Sequence, residues 1–297
     1  LTGRVLPGWS YRSDATAVLS YNTSLTYELT NPGKGIVACE NGPTHATNPV
    51  LMDGVTDVSD VGTTDNDGHG THVAGIVGGT YSGVAKAVSL VPVRVLDSCG
   101  AGTATLVRKG LEWILANHQD GERAVVNMSI GFDVSATTID AAIRNLLAEG
   151  IVVVAASGNS AQSACNTTPA GTPGTISVGA INSSDAETAW SNFGECVDIF
   201  APGDEIYSTL PNSNYGVEGG TSMAAPAVAG MAALIRSLYP QLTAVQVKGI
   251  ILDSGLSIPM KVRVGEEELS LAELCVSGKI ANLYTALLLA EQVAAGK

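Results

Sequence analysis

Ile151-Val152-Val153-Val154-Ala155-Ala156 is the longest apolar run in the interior of the chain. A run with no polar face reads as a strand covered on both sides, as at the centre of a parallel sheet. It is far shorter than the roughly 20 residues that a membrane-spanning helix needs. Before it lies a helical pattern from about Thr137 to Glu149 that stops at Gly150, and before that an apolar strand, Ala124 to Ile130. Further out, Ser89 to Leu96 reads as a strand. Thr103 to His118 reads as a helix with Leu106, Val107, Leu111, Ile114 and Leu115 on one stripe. On the other side come a strand, Thr175 to Ile181, and helices over Thr221 to Leu238, Thr243 to Leu252 and Ile280 to Ala295. This alternation predicts an α/β fold, a single three-layer domain with a mainly parallel central sheet flanked by helices. No repeat, low-complexity tract or composition shift marks a linker, so one domain is expected over 1–297. Residues 1–35 read as an irregular N-terminal arm, and 255–297 as a C-terminal extension packed on that domain.

Composition narrows the function classes. The 297 residues are 45% apolar and only 14% charged, against about 25% charged in an average domain. That is the opposite of a disordered chain. Fifteen Lys and Arg against 28 Asp and Glu give a formal net charge of −13, with no basic cluster. Nucleic acid is excluded as a partner because no counterion-releasing patch can be assembled, and an anionic membrane surface is repelled for the same reason. Leu1 to Ser13 has no apolar core and does not read as a signal peptide. The five cysteines, Cys39, Cys99, Cys165, Cys196 and Cys275, lack C-x-x-C spacing, which disfavours structural zinc.

Two Gly-rich segments carry chemistry. In Asp67-Gly68-His69-Gly70-Thr71-His72-Val73-Ala74-Gly75-Ile76, His69 stands at the first turn of a close-packing helix. A helix N-terminus favours a neutral imidazole, as a general base requires. The alternative is a pair of histidines binding metal at i, i+3. In Gly219-Gly220-Thr221-Ser222-Met223-Ala224-Ala225-Pro226, a Ser on the first helical turn presents its hydroxyl beside unpaired backbone N–H groups. Such a Ser suits nucleophilic attack with stabilisation of an oxyanion. Equally, it suits a simple N-cap.

Taken together, these segments resemble the subtilisin-like serine proteases, and among them the proteinase-K-like branch. Further matches in family order are Tyr81 to Ala87, Val93 to Asp97, Asn127 to Gly131, Ala155 to Asn159, Asn192 to Gly194 and Val197 to Gly203. The resemblance implies a subtilisin-like fold and a serine endopeptidase working through an acyl-enzyme on Ser222, with His69 as general base. Asn159 would donate its side-chain N–H to the oxyanion. Gly100, Ser129, Ile130 and Gly131 would line an extended substrate, with Ala156, Ser157 and Gly158 walling the pocket for the residue before the scissile bond.

One position departs from the family. Its triad Asp ends an apolar strand about thirty residues before the His. Here Gly35-Ile36-Val37-Ala38-Cys39-Glu40-Asn41-Gly42 stands there, and Glu40 precedes His69 by 29 positions. Glu40 is therefore the expected triad acid, with one methylene more than the family's Asp. Glutamate serves that role in other Ser–His hydrolases. The alternative is an attenuated or pseudoprotease that acts mainly by binding. The resemblance also implies a disulfide between Cys165 and Cys196, and hence an oxidising, secreted or extracytoplasmic setting. No cofactor is expected for the chemistry. Calcium is expected as a structural ion on Asp198 and the carbonyls of Pro173 and Thr175. The expected partners are a polypeptide substrate and the chain's own removed pro-segment, with the protein working as a monomer.

Overall fold

A computed structural model describes residues 8–12, 20–21, 56–60, 65, 67–96, 100, 102–258, 261–264 and 267–296. The centre is a four-stranded parallel sheet in the order β5-β6-β7-β8, built from Val125–Met128, Val152–Ala156, Ile176–Ile181 and Ile199–Pro202. Its register pairs Val126 with Val153, Ala155 with Ser177, and Gly179 with Phe200. Every residue of β6 is buried, as the uninterrupted apolar run requires. A second sheet, in the order β2-β4-β1-β3, joins Ser20–Tyr21, Val93–Leu96, Gly8–Arg12 and Thr56–Asp60, with β1 and β4 parallel.

Helices cover both faces of the parallel sheet. Ile151, Val153 and Ala155 face a cluster made with α2 (Ala104–Asn117) and α3 (Thr137–Ala148), where Leu111, Ile143 and Leu146 are buried. Val152, Val154 and Ala156 face α4 (Thr221–Leu238), α5 (Ala244–Asp253) and α7 (Leu283–Ala294). The helix boundaries follow local signals. The Thr103 side chain accepts from the Leu106 N–H, and Thr243 forms a capping box with Gln246. Helix α4 is long and apolar enough to cross a membrane by length and composition, but 67% of it is buried as the core helix of this sheet. Ala286 and Ala290 of α7 enter the same core, so the segment after 255 packs on the sheet's helical layer.

The remaining elements are α1 (His69–Gly78), a hairpin of β9 (Ile206–Leu210) and β10 (Asn214–Glu218), a second hairpin of β11 (Lys261–Val264) and β12 (Glu267–Ser270), and the short α6 (Leu271–Leu274). The two hairpins are absent from the pattern read in the sequence.

Candidate active site

Helix α1 begins at His69, after Gly68 in the left-handed region at φ 111°. The first turn of a helix leaves its N–H groups without internal acceptors. Here carboxylates meet them and those of the approaching loop. Asp65 Oδ1 accepts from the N–H groups of Asp67 (3.1 Å) and Gly68 (2.8 Å). Its Oδ2 accepts from the Thr71 N–H (2.9 Å) and hydroxyl (2.5 Å), while Asp67 Oδ2 accepts from the His69 N–H at 3.2 Å. Negative charge at a helix N-terminus is favourable, and this clamp sets the point at which His69 leaves the helix. Asp65 thus serves the start of α1.

His72 is fully buried, and its Nε2 lies 3.2 Å from the carbonyl oxygen of Gly216. Burial lowers its pKa, partly offset by backbone hydrogen bonds. It therefore ties α1 to β10. Strand β9 is seated equally closely. The hydroxyls of Ser208 and Thr209 donate to the carbonyls of His72 and Thr71, each at 2.8 Å. A Cβ at Gly75 would lie 2.1 Å from Thr209 Oγ1, so only glycine fits there. Glu218, at the end of β10, pairs in register with Ile206. Burial pushes its carboxyl up, while the charge of nearby His69 draws it back.

The second half of the site is the start of α4. Met223 packs with Val73 and Ile76 of α1, which joins the two helices near their N-termini. Pro226 lies inside α4 and has no N–H, so the Ser222 carbonyl four residues earlier loses its helical donor. Ser129 supplies one instead: its hydroxyl donates to the Ser222 carbonyl oxygen at 2.7 Å. In return, the Ser222 hydroxyl donates to the Ser129 carbonyl oxygen at 3.2 Å. Asn127 Nδ2 donates to Ser129 Oγ at 2.9 Å and holds the hydroxyl in place. A helix-breaking residue thus opens a reciprocal clamp between the end of β5 and the expected nucleophile.

Asn159 stands on the turn after β6. Its Oδ1 accepts from both the N–H (2.9 Å) and the hydroxyl (2.8 Å) of Thr221. With the oxygen end so occupied, Nδ2 remains a donor, and a Cβ at Gly220 would lie 3.4 Å from it. The turn itself is strapped by Asn192, which is fully buried and so must find partners for its amide. Asn192 Nδ2 donates to the Ser157 carbonyl at 2.8 Å, and its Oδ1 accepts from the N–H groups of Ser160 and Gln162. Gly158 has φ 108°, and a Cβ there would lie 2.3 Å from Asn192 Nδ2. Ala156 and Ser157 are buried beneath this turn.

Beyond Ser129, Ile130 is half-buried and Gly131 exposed, and Phe132 then exchanges backbone hydrogen bonds with Thr168 at 2.8 and 3.1 Å. Gly100 is exposed at φ 68°. Glu40, Cys39 and Cys99 lie outside the described residues. Cys165 and Cys196 are disulfide-bonded, with Cα atoms 5.0 Å apart. Cys275 is a buried free thiol whose pKa is raised by burial.

The expected calcium ligands take a different arrangement. The Thr175 carbonyl and Asp198 Oδ2 both accept from the ammonium of Lys248, at 2.7 and 2.8 Å. Pro173 is exposed on the preceding turn. A side-chain cation already bound between two of the three expected oxygens does not fit a divalent ion there. Of the residues expected to hold calcium, Pro173, Thr175 and Asp198, two are thus in contact with an ammonium. Among the described residues, no group of three His, Cys, Asp or Glu side chains could hold a metal.

Fold and site together define a parallel α/β protein with a Ser at one helix start and a His at another, joined through Met223. Residues 44–272 match the subtilase family (Peptidase_S8), and the chain belongs to that family. It is 46% identical over 190 residues to the extracellular serine proteinase of Thermus sp. (strain Rt41A), which covers 63% of this chain and 46% of that protein. It is 43% identical over 192 residues to subtilisin NAT of Bacillus subtilis subsp. natto, covering 62% and 49%. The chain thus spans about half the length of these relatives. Among solved structures, a cold-adapted subtilisin-like serine proteinase aligns with a TM-score of 0.64 at 40% identity, covering 70% of this chain and 74% of that one.

Proposed function

We propose that this chain is the catalytic domain of a secreted serine endopeptidase. Ser222 attacks the scissile carbonyl, His69 takes its proton and returns it to the leaving amine, and the acyl-enzyme is then hydrolysed. The oxyanion forms beside the Ser222 N–H and Asn159 Nδ2, where charge development is met by donors already in place. The substrate is a polypeptide running extended along Ser129 to Gly131 and Gly100, with its side chain before the scissile bond entering by Ala156, Ser157 and Gly158. Glu40 is the acid that orients the imidazole. The chemistry requires no cofactor, the enzyme works as a monomer, and its own pro-segment is its first cleavage partner.

The observation that carries this reading is the clamp at Ser222. Its hydroxyl and carbonyl are both tied to Ser129, and the neighbouring Thr221 fixes the Asn159 amide with its donor end free. A mere N-cap Ser would need neither contact. The test is covalent labelling of the folded, mature protein with a fluorophosphonate probe. Labelling at Ser222 that is lost in Ser222→Ala is the expected result, and a folded protein that takes no label overturns the reading. Glu40→Asp separates a fully active enzyme from an attenuated one. A steep rise in peptidase activity identifies Glu40 as the weak element, whereas an unchanged or lower rate means that glutamate is already productive.

A further inference from the structure

Thr175 immediately precedes β7 and Asp198 immediately precedes β8, so the two acceptors sit at the same end of adjacent parallel strands. Lys248 reaches them from the middle of α5. We propose that the Lys248 ammonium is a built-in substitute for a bound metal ion, joining α5 to the starts of β7 and β8, and that it makes this part of the fold indifferent to calcium.

The chemistry of the acceptors supports the substitution. A carbonyl and a carboxylate are the oxygen donors that a hard cation prefers. An ammonium offers three N–H donors and a single charge, which Asp198 balances one to one. Asp198 Oδ2 also accepts from the Ser177 N–H at 2.9 Å, and the Asp198 N–H returns a bond of 2.9 Å to the Ser177 carbonyl. The carboxylate is therefore already oriented without a metal. The pair is largely sheltered, with side-chain exposures of 26% for Lys248 and 11% for Asp198, so solvent screens it less than a surface pair. In the same stretch, the hydroxyls of Thr175 and Ser177 are buried without a hydrogen-bond partner. Calcium would require oxygens at about 2.3–2.6 Å, in the space the ammonium fills. A divalent ion could enter only by expelling Lys248 or by enduring its repulsion. Removing the ammonium would instead leave an oxygen-lined site with one uncompensated carboxylate, which is a site for a metal ion.

The test is thermal unfolding in millimolar CaCl2 and in EDTA, on a Ser222→Ala background so that self-digestion does not obscure the melts. The readout is the calcium-dependent rise in Tm. In Lys248→Met that rise is expected to reach roughly 3–6 °C, as ligand linkage gives for a newly formed site. The parent and Lys248→Arg should lack it, and adding Asp198→Asn to Lys248→Met should remove it. Equal calcium responses in the parent and Lys248→Met would overturn the proposal, as would a parent response abolished by Asp198→Asn. If Lys248→Met does not fold in either buffer, calorimetric titration of the parent with CaCl2 decides. Heats identical to those of Asp198→Asn support the proposal, and an Asp198-dependent binding heat overturns it.

Discussion

The two faces of β6 come from one strand but meet very different partners. On one side, Val153 and Ala155 pack against Leu111, Ile139, Ile143 and Leu146, all branched side chains. On the other, Val154 and Ala156 meet Ala224, Ala225, Val228, Ala229 and Ala232 of α4. Small side chains let α4 approach the sheet closely, and its first turn reaches the ends of β5 and β6, where Ser129 and Asn159 take hold of it. The branched face supplies stability. The small-residue face supplies stability and also sets the position of Ser222. Dispersion contacts scale with area and tolerate small shifts, whereas a hydrogen bond weakens steeply with distance and angle.

The largest effect expected from breaking this arrangement is at Asn159. If Asn159 is the oxyanion donor proposed above, Asn159→Ala should lower kcat roughly 10²–10³-fold with KM little changed, the magnitude known for an oxyanion-hole asparagine in subtilisin. Steady-state kinetics on a peptide substrate check this. Next come the two faces themselves. Ile143→Ala should cost about 2–5 kcal/mol of stability, measured by denaturant unfolding, and leave kcat unaltered. Ala232→Leu on α4 should cost about 1–3 kcal/mol by overpacking and also reduce kcat, because α4 has to move. If both variants lose stability alone, the contrast between the faces is wrong. Pro226→Ala sharpens it further. Restoring an N–H four residues after Ser222 offers its carbonyl a helical donor in competition with Ser129. Stability should then rise by about 1 kcal/mol while kcat falls roughly fivefold, of the order of one hydrogen bond.

The smallest effect concerns a carboxyl without a partner. Glu187 is buried, neither oxygen has a hydrogen-bond partner, and burial raises its pKa to about 8. The native state thus keeps a proton that the unfolded chain releases from its ordinary value of 4.5 upward. Stability associated with this group is present below pH 4.5 and is lost as pH rises towards 8. Glu187→Gln should therefore raise Tm by roughly 2–5 °C at pH 8 and change it little at pH 4. Melting curves across that range, read as the difference between variant and parent, test the sign.

Much of the fold was legible because the periodic signals were strong. The helix read over Thr221 to Leu238 has those same bounds, and Thr103 and His118 stand as the two caps of α2. The β9–β10 hairpin is not legible in the sequence because Tyr207, Ser208, Thr209, Asn214 and Tyr215 show no clean apolar alternation. Its hold on α1 comes from hydroxyls that donate to helix carbonyls, a contact with no sequence period. The Cys165–Cys196 bridge was expected from the resemblance and is present. By the chain-entropy account its separation of 31 residues corresponds to about 3–4 kcal/mol. Asp198 was expected as a calcium ligand from the resemblance. Lys248 lies 50 positions further on, in α5, and no motif in the sequence links it to Asp198.

The amino-acid sequence by itself carried the α/β alternation, the buried centre of the sheet and the family motifs around His69, Asn159 and Ser222. These rest on period, Gly placement and local motifs, all of which act over a few residues. Tertiary structure alone decided how each is held: Asp65 at the start of α1, Ser129 on the carbonyl that Pro226 frees, Thr221 on the Asn159 amide, and Lys248 where a metal ion was expected. Apart from Asp65, these partnerships join residues 50 or more positions apart. A hydrogen bond is satisfied by position in space, and spacing along the chain carries no record of it.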